Sequence, residues 1–167
     1  SAGRCEVWTR RAGIGTTVQA SGSVCLRLGL HDPLATASAF SPADGGEGRS
    51  CSGASSTDVS SNYYTAIGPA LATSLEACMG LCVAEPACKG VDYSSAEGCR
   101  VWTRAAGVGS TAALAGHTCL RYDPFAPADG ATDRACRGAG STDNSASYYT
   151  LVNSSVAGSL DSCKALC

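Results

Sequence analysis

Residues 73–86 read TSLEACMGLCVAEP, the strongest helix signal in the chain. Thr73 is placed to cap it, Glu76 sits three residues on as in a capping box, and Pro86 follows the stop. Cys78 and Cys82 then lie one turn apart on the face that carries Leu75. A helix with two cysteines on its inner face has to be tethered to something. The residues on either side say what: SNYYTAI at 61–67, CKGVDYS at 88–94, CRVWT at 99–103 and TCLRY at 118–122 are short and rich in β-formers, whereas GVGSTAALAG at 107–116 reads as a long loop. One helix on a small antiparallel sheet, an α+β fold, is the economical arrangement.

The helix phrase returns as SLDSCKALC, with Leu160, Cys163 and Cys167, and it belongs to a larger repetition. Residues 5–25 and 99–119 are identical at 11 of 21 positions at an offset of 94. Residues 51–82 and 136–167 agree at 16 of 32 at an offset of 85. The difference of nine falls in stretches rich in Pro, Gly, Asp and Ala, which read as surface connections. The domain reading is therefore the rear of a module at 1–30, a linker at 31–50, one complete module at 51–122, a linker at 123–135 and the front of a further module at 136–167. Only a counterpart of residues 83–94 is absent. Two accounts fit this phase: a window of a long tandem array, or a subunit cleaved inside a module. In the second, residues 136–167 of one chain complete themselves with residues 1–25 of the next, a head-to-tail contact that builds a filament.

Composition narrows the chemistry. With 167 residues, a net charge of -2 and 6% aromatic residues, the chain has no polycationic footprint for nucleic acid, and no apolar run approaches a membrane span. Modules this small have thin cores and need staples, and 11 cysteines supply them. Disulfides in turn imply an oxidising, extracellular compartment. Zinc is the rival use of the cysteines, but x3 and x5 spacings and only two histidines, His31 and His117, do not make a zinc site. Asp44, Glu47, Asp129 and Asp133 sit near glycine turns without the alternation of a calcium loop. Neither a metal nor a cofactor is expected. There is no G-x-S-x-G and no Ser/His/Asp grouping of a hydrolase, so no catalytic residues are assigned.

The complete module follows C-x26-C-x3-C-x5-C-x10-C-x19-C, and spacing alone allows 15 pairings. Six cysteines with a helix bearing the second and third resemble the PAN/apple domain family, over residues 51–122 fully and both flanks in part. The tandem, alanine- and serine-rich style is similar to arrays of such modules in secreted proteins of unicellular algae. The resemblance implies Cys51–Cys119, Cys78–Cys99 and Cys82–Cys88. By the same logic Cys5 would pair with a Cys163-like residue and Cys25 with a Cys136-like residue of a neighbouring module or molecule, leaving Cys167 unpaired. It also implies binding to proteins or carbohydrates, with a protease or protease-substrate module as a third reading.

The tryptophan phrase offers the best contact surface. In a strand with Cys99 and Val101 facing inward, Arg100, Trp102 and Arg104 share the outer face; the first copy presents Glu6, Trp8 and Arg10. The competing expectation is that the 107–116 loop folds back over the indole. Tyr63 and Tyr64, like Tyr148 and Tyr149, would point to opposite sides of a strand, one inward and one outward. Asn153 opens the sequon Asn153-Ser154-Ser155, a glycan acceptor in a secreted chain. Two functions follow: a non-catalytic extracellular structural repeat protein whose modules join head to tail with copies of themselves into a filament or cell-surface appendage, or a lectin-like adhesion protein using the Trp, Arg and Tyr faces on glycans.

Overall fold

The computed structural model describes residues 5–28 and 39–167. Residues 1–4 and 29–38, including His31 and much of the first linker, lie outside the described residues. The chain divides into two compact units, one continuous (Gly29–Pro124) and one assembled from both parts of the chain that flank it (Ser1–Leu28 with Phe125–Cys167). Both are small, disulfide-rich and mostly antiparallel sheet, with few helices.

In the continuous unit a five-stranded sheet runs in the order β3 (Phe40–Ser52), β7 (Ser110–Tyr122), β5 (Gly90–Ser94), β6 (Gly98–Trp102), β4 (Tyr64–Ile67). The helix α1, Leu75–Ala84, carries Cys78 and Cys82 inward, both fully buried. Its cap is Ser74 rather than Thr73: the Ser74 side chain accepts from the Ala77 N–H at 3.1 Å, which places the helix one residue later than the capping-box reading. One face of the sheet packs with α1 around Val91, Val101 and Leu120; the other encloses Ala43, Trp102 and Val108. Sequence alternation on β6 therefore does not separate inside from outside, because both faces are covered.

Two readings are corrected here. The 107–116 loop is strand from Ser110 onward, and both linkers contain long strands, β3 and its counterpart β8 (Phe125–Arg137). Alanine and glycine are poor strand formers, so composition hid them. The pairing tolerates the glycines by breaking register between Pro42/Glu47 and Glu47/Arg49, where Gly45, Gly46 and Gly48 take positive φ. These breaks bend the ribbon enough that Cys51, opposite Thr111 in the ladder, reaches Cys119 through its sulfur.

The discontinuous unit repeats these elements at the same offsets. β1 (Cys5–Trp8) pairs with β9 (Tyr149–Val152) as β6 pairs with β4; β2 (Thr16–Leu28) pairs with β8 as β7 pairs with β3; α2 (Leu160–Lys164) stands for α1. Five bridges form: Cys5–Cys163, Cys25–Cys136, Cys51–Cys119, Cys78–Cys99 and Cys82–Cys88. The front of the second module thus closes on the rear segment of the same chain, not on a neighbouring molecule. Cys167 is a free thiol.

Candidate functional site

Asp92, on β5 in the middle of the five-stranded sheet, is buried and surrounded by donors. Its Oδ2 accepts from Ser50 Oγ at 2.6 Å, the Cys51 N–H at 3.1 Å and Arg100 at 3.3 Å, while Oδ1 meets His117 Nδ1 at 2.9 Å. A carboxylate in so dry a place is tolerated because its lone pairs are satisfied. Ser50 and His117 both address the carboxylate, and the serine hydroxyl donates to it rather than to the imidazole. This arrangement fastens β5 to β3, β6 and β7; it does not align a base on a nucleophile. Sequence reasoning passed over Asp92. The available signal was one acidic residue inside the short strand phrase GVDYS.

The aromatic residues are arranged alike in both units. Trp102 is 1% exposed and tilts against Tyr63 and Tyr64 at 6.0 and 5.5 Å between ring centroids. Trp8 packs on Tyr148 and Tyr149 at 6.2 and 5.3 Å. The expected outward Trp102 is thus corrected: the indole is buried in one cluster with Val108, Ala43, Cys51 and Cys119. Neither tyrosine of a pair points fully out, because Tyr63 and Tyr148 end 3-10 turns and only Tyr64 and Tyr149 enter strands. The arginines are engaged internally as well. Arg104 lies over Tyr63 and donates to the Gly107 carbonyl; Arg10 does the same with Tyr148 and Gly13. Arg100 lies over Tyr64 and reaches Asp92 and Glu97.

The acidic turn residues have local duties too. Asp44 and Asp129 adopt positive φ and accept from Thr111 and Thr17, and Asp133 accepts from the Gly22 N–H. Asn153 is exposed, its side-chain oxygen accepting from the Ser155 N–H at a turn before α2.

A groove of about 580 Å³ opens in the discontinuous unit. Cys5, Glu6 and Trp8 of β1, Ser23 and Val24 of β2 and Arg134 of β8 are among its walls, with the loop and helix from Ala157 to Cys163 on one side. It lies where, among the described residues, the discontinuous unit has no counterpart of β5. In the continuous unit β5 sits between β6 and β7 and pairs with both. In the discontinuous unit the equivalents, β1 and β2, belong to separate two-stranded sheets. The consequence shows in burial. Val101, Trp102, Leu120, Cys51 and Cys78 are buried, whereas their counterparts Val7, Trp8, Leu26, Cys136 and Cys163 are only half-buried.

No protein-family model, curated protein or solved structure matches this chain. Its internal comparison therefore carries the functional argument. Among the described residues no helix is long and apolar enough to cross a membrane, and no three His, Cys, Asp or Glu side chains gather as a metal site. The cysteines implied by the resemblance lie within bonding distance of one another; Trp8 alone of the tryptophans borders an open surface, and Trp102, Arg100 and Arg104 face neighbours within their own unit.

Proposed function

We propose that this chain is a non-catalytic, extracellular structural repeat protein, built of PAN/apple-like modules that join end to end into a filament or cell-surface appendage. The observation that carries the reading is the duplication itself. The same strand pairings, the same tryptophan–tyrosine packing and the same capped aspartate turns are built twice, with each unit stapled by its own bridges. Selection for a repeated scaffold preserves such contacts, and a repeated scaffold suits assembly. Five disulfides fit an oxidising exterior, and a glycan on exposed Asn153 is compatible with that location. The lectin-like alternative is weaker, since Trp102 has no open face to stack on a sugar and Arg104 is already bonded.

Electron microscopy of native, non-reduced material tests this reading alongside a glycan array. Filaments or appendages with a silent array are expected; dispersed single particles that bind defined glycans would replace the structural role with adhesion.

A further inference from the structure

The loops that follow β3 and β8 are tied in the same way. In the first, the Gly53 N–H donates to the Asp58 carbonyl at 2.7 Å, the Asp58 N–H to the Ser55 carbonyl at 3.0 Å and the Ala54 N–H to the Asp58 carboxylate at 2.7 Å. In the second, Gly138, Asp143, Gly140 and Ala139 repeat the three bonds at 2.7, 2.9 and 2.7 Å. Several residues shared by the two loops have a structural duty. A Cβ on Gly53 or Gly138 would collide with the aspartate carboxylate, and Ser60 and Ser145 cap the 3-10 turns that come next. Ser56-Thr57 and Ser141-Thr142 do not fit that account. All four are exposed at the tip of the turn, and among the described residues no hydrogen-bond partner meets the hydroxyls of Ser56, Ser141 or Thr142. The Thr57 hydroxyl shares a 3.2 Å contact with that of Ser55, yet the second loop has Gly140 there and keeps its threonine. The pair Ser-Thr is thus retained in both copies without any bond that the loop needs.

We propose that the Ser56-Thr57 and Ser141-Thr142 tips are one O-glycosylation site built twice, each accepting a neutral sugar on a hydroxyl oxygen. The loop is held from within by its aspartate and main chain, so a bulky substituent on the tip breaks nothing, and the hydroxyls stand clear for a transferase. Charge selects the modification. Asp58 is bonded to the Ala54 N–H and the Tyr63 hydroxyl, with Arg104 at 3.9 Å. A phosphoryl group on Thr57 would set its negative charge beside that carboxylate and compete for its donors, whereas a sugar adds no charge. Exposed Ser and Thr clusters of extracellular chains are common carriers of such sugars. This site is distinct from Asn153, whose counterpart Gly68 leaves the continuous unit without an equivalent.

The transfer needs a nucleotide-activated sugar and a secretory glycosyltransferase. The hydroxyl oxygen forms a bond to the anomeric carbon, the bond from that carbon to the nucleoside diphosphate breaks, and the diphosphate leaves with the electron pair. The hydroxyl proton passes to a base of the transferase. The proposal rests on the extracellular reading only for the compartment in which chain and transferase meet.

Native material, reduced and alkylated, freed enzymatically of any sugar on Asn153 and cut with trypsin, puts the two tips on separate peptides, residues 50–89 and 138–164. Electron-transfer fragmentation should place a hexose or N-acetylhexosamine on Ser56 or Thr57 and on Ser141 or Thr142. Thr65 and Thr150, equally exposed and equally retained but lying in strands, should be bare. In the unglycosylated oxidised chain, Ser56→Ala with Thr57→Val should leave the urea midpoint unmoved, as expected of surface groups without bonds. A midpoint that falls as far as with Asp58→Ala would make the hydroxyls structural and overturn the premise. Bare tips in native material, phosphate in place of sugar, or sugar spread equally over Thr65 and Thr150 would overturn the site. Filaments seen in that same bare material would leave the structural function standing.

Discussion

Asp92 shows how much a single side chain can decide in a module with so little apolar interior. Four donors from three neighbouring strands converge on its carboxylate. Asp92→Ala removes the acceptor and strands Ser50, His117 and the Cys51 N–H in a dry site. A loss of about 3 kcal/mol is expected in urea unfolding of the oxidised chain. Asp58 acts at the surface and through pH. The Ala54 N–H, then the Tyr63 hydroxyl and the Arg104 guanidinium, hold its carboxyl below the ordinary 3.8, with slight burial opposing them. A depressed folded-state pKa stabilises the fold above the unfolded value, and the benefit disappears as pH falls from 3.8 through the folded pKa. The urea midpoint should drop in that window, and Asp58→Asn should flatten the drop. Legibility at this scale was uneven. The arginine–aromatic grouping around Trp102 was visible in CRVWTR, but the direction of the indole was not, because alternation assigns opposite faces without saying whether each is wet.

Among the elements, α1 is the piece most dependent on its staples. Loop entropy orders the three bridges of the continuous unit by the chain they close, with sequence separations of 68, 21 and 6 for Cys51–Cys119, Cys78–Cys99 and Cys82–Cys88. Removing each as a Cys→Ala pair should destabilise by roughly 4, 3 and 2 kcal/mol respectively, measured in urea with the other bridges intact. An inverted order would mean that native packing, rather than the unfolded chain, carries the effect. The helix and the short strands were legible because they hold β-branched and aromatic residues, or caps and a stop signal. The two long ribbons were not: PADGGEG and STAALAG contain what strands usually avoid, and their pairing is held by register breaks, the aspartate turns and the Cys51–Cys119 bond. The groove of the discontinuous unit needed coordinates, because its walls come from segments more than a hundred residues apart.

At the scale of the whole chain, the repetition read from residue identities fixed the order of elements in both units, and the elements recur at offsets of 85 and 94. What identity could not reveal was which copies would marry. The rear and front segments that looked like orphans meet within one chain, joined by Cys5–Cys163 and Cys25–Cys136. Tension applied to the two termini would therefore run from Cys5 across one covalent bond to Cys163, bypassing everything in between. In an optical trap the oxidised chain should behave as an almost inextensible link until bonds rupture. Adding reductant should release roughly 550 Å of hidden contour, at about 3.5 Å for each bypassed residue. A thread spun from such links would resist stretching without spending any of its folded structure as slack.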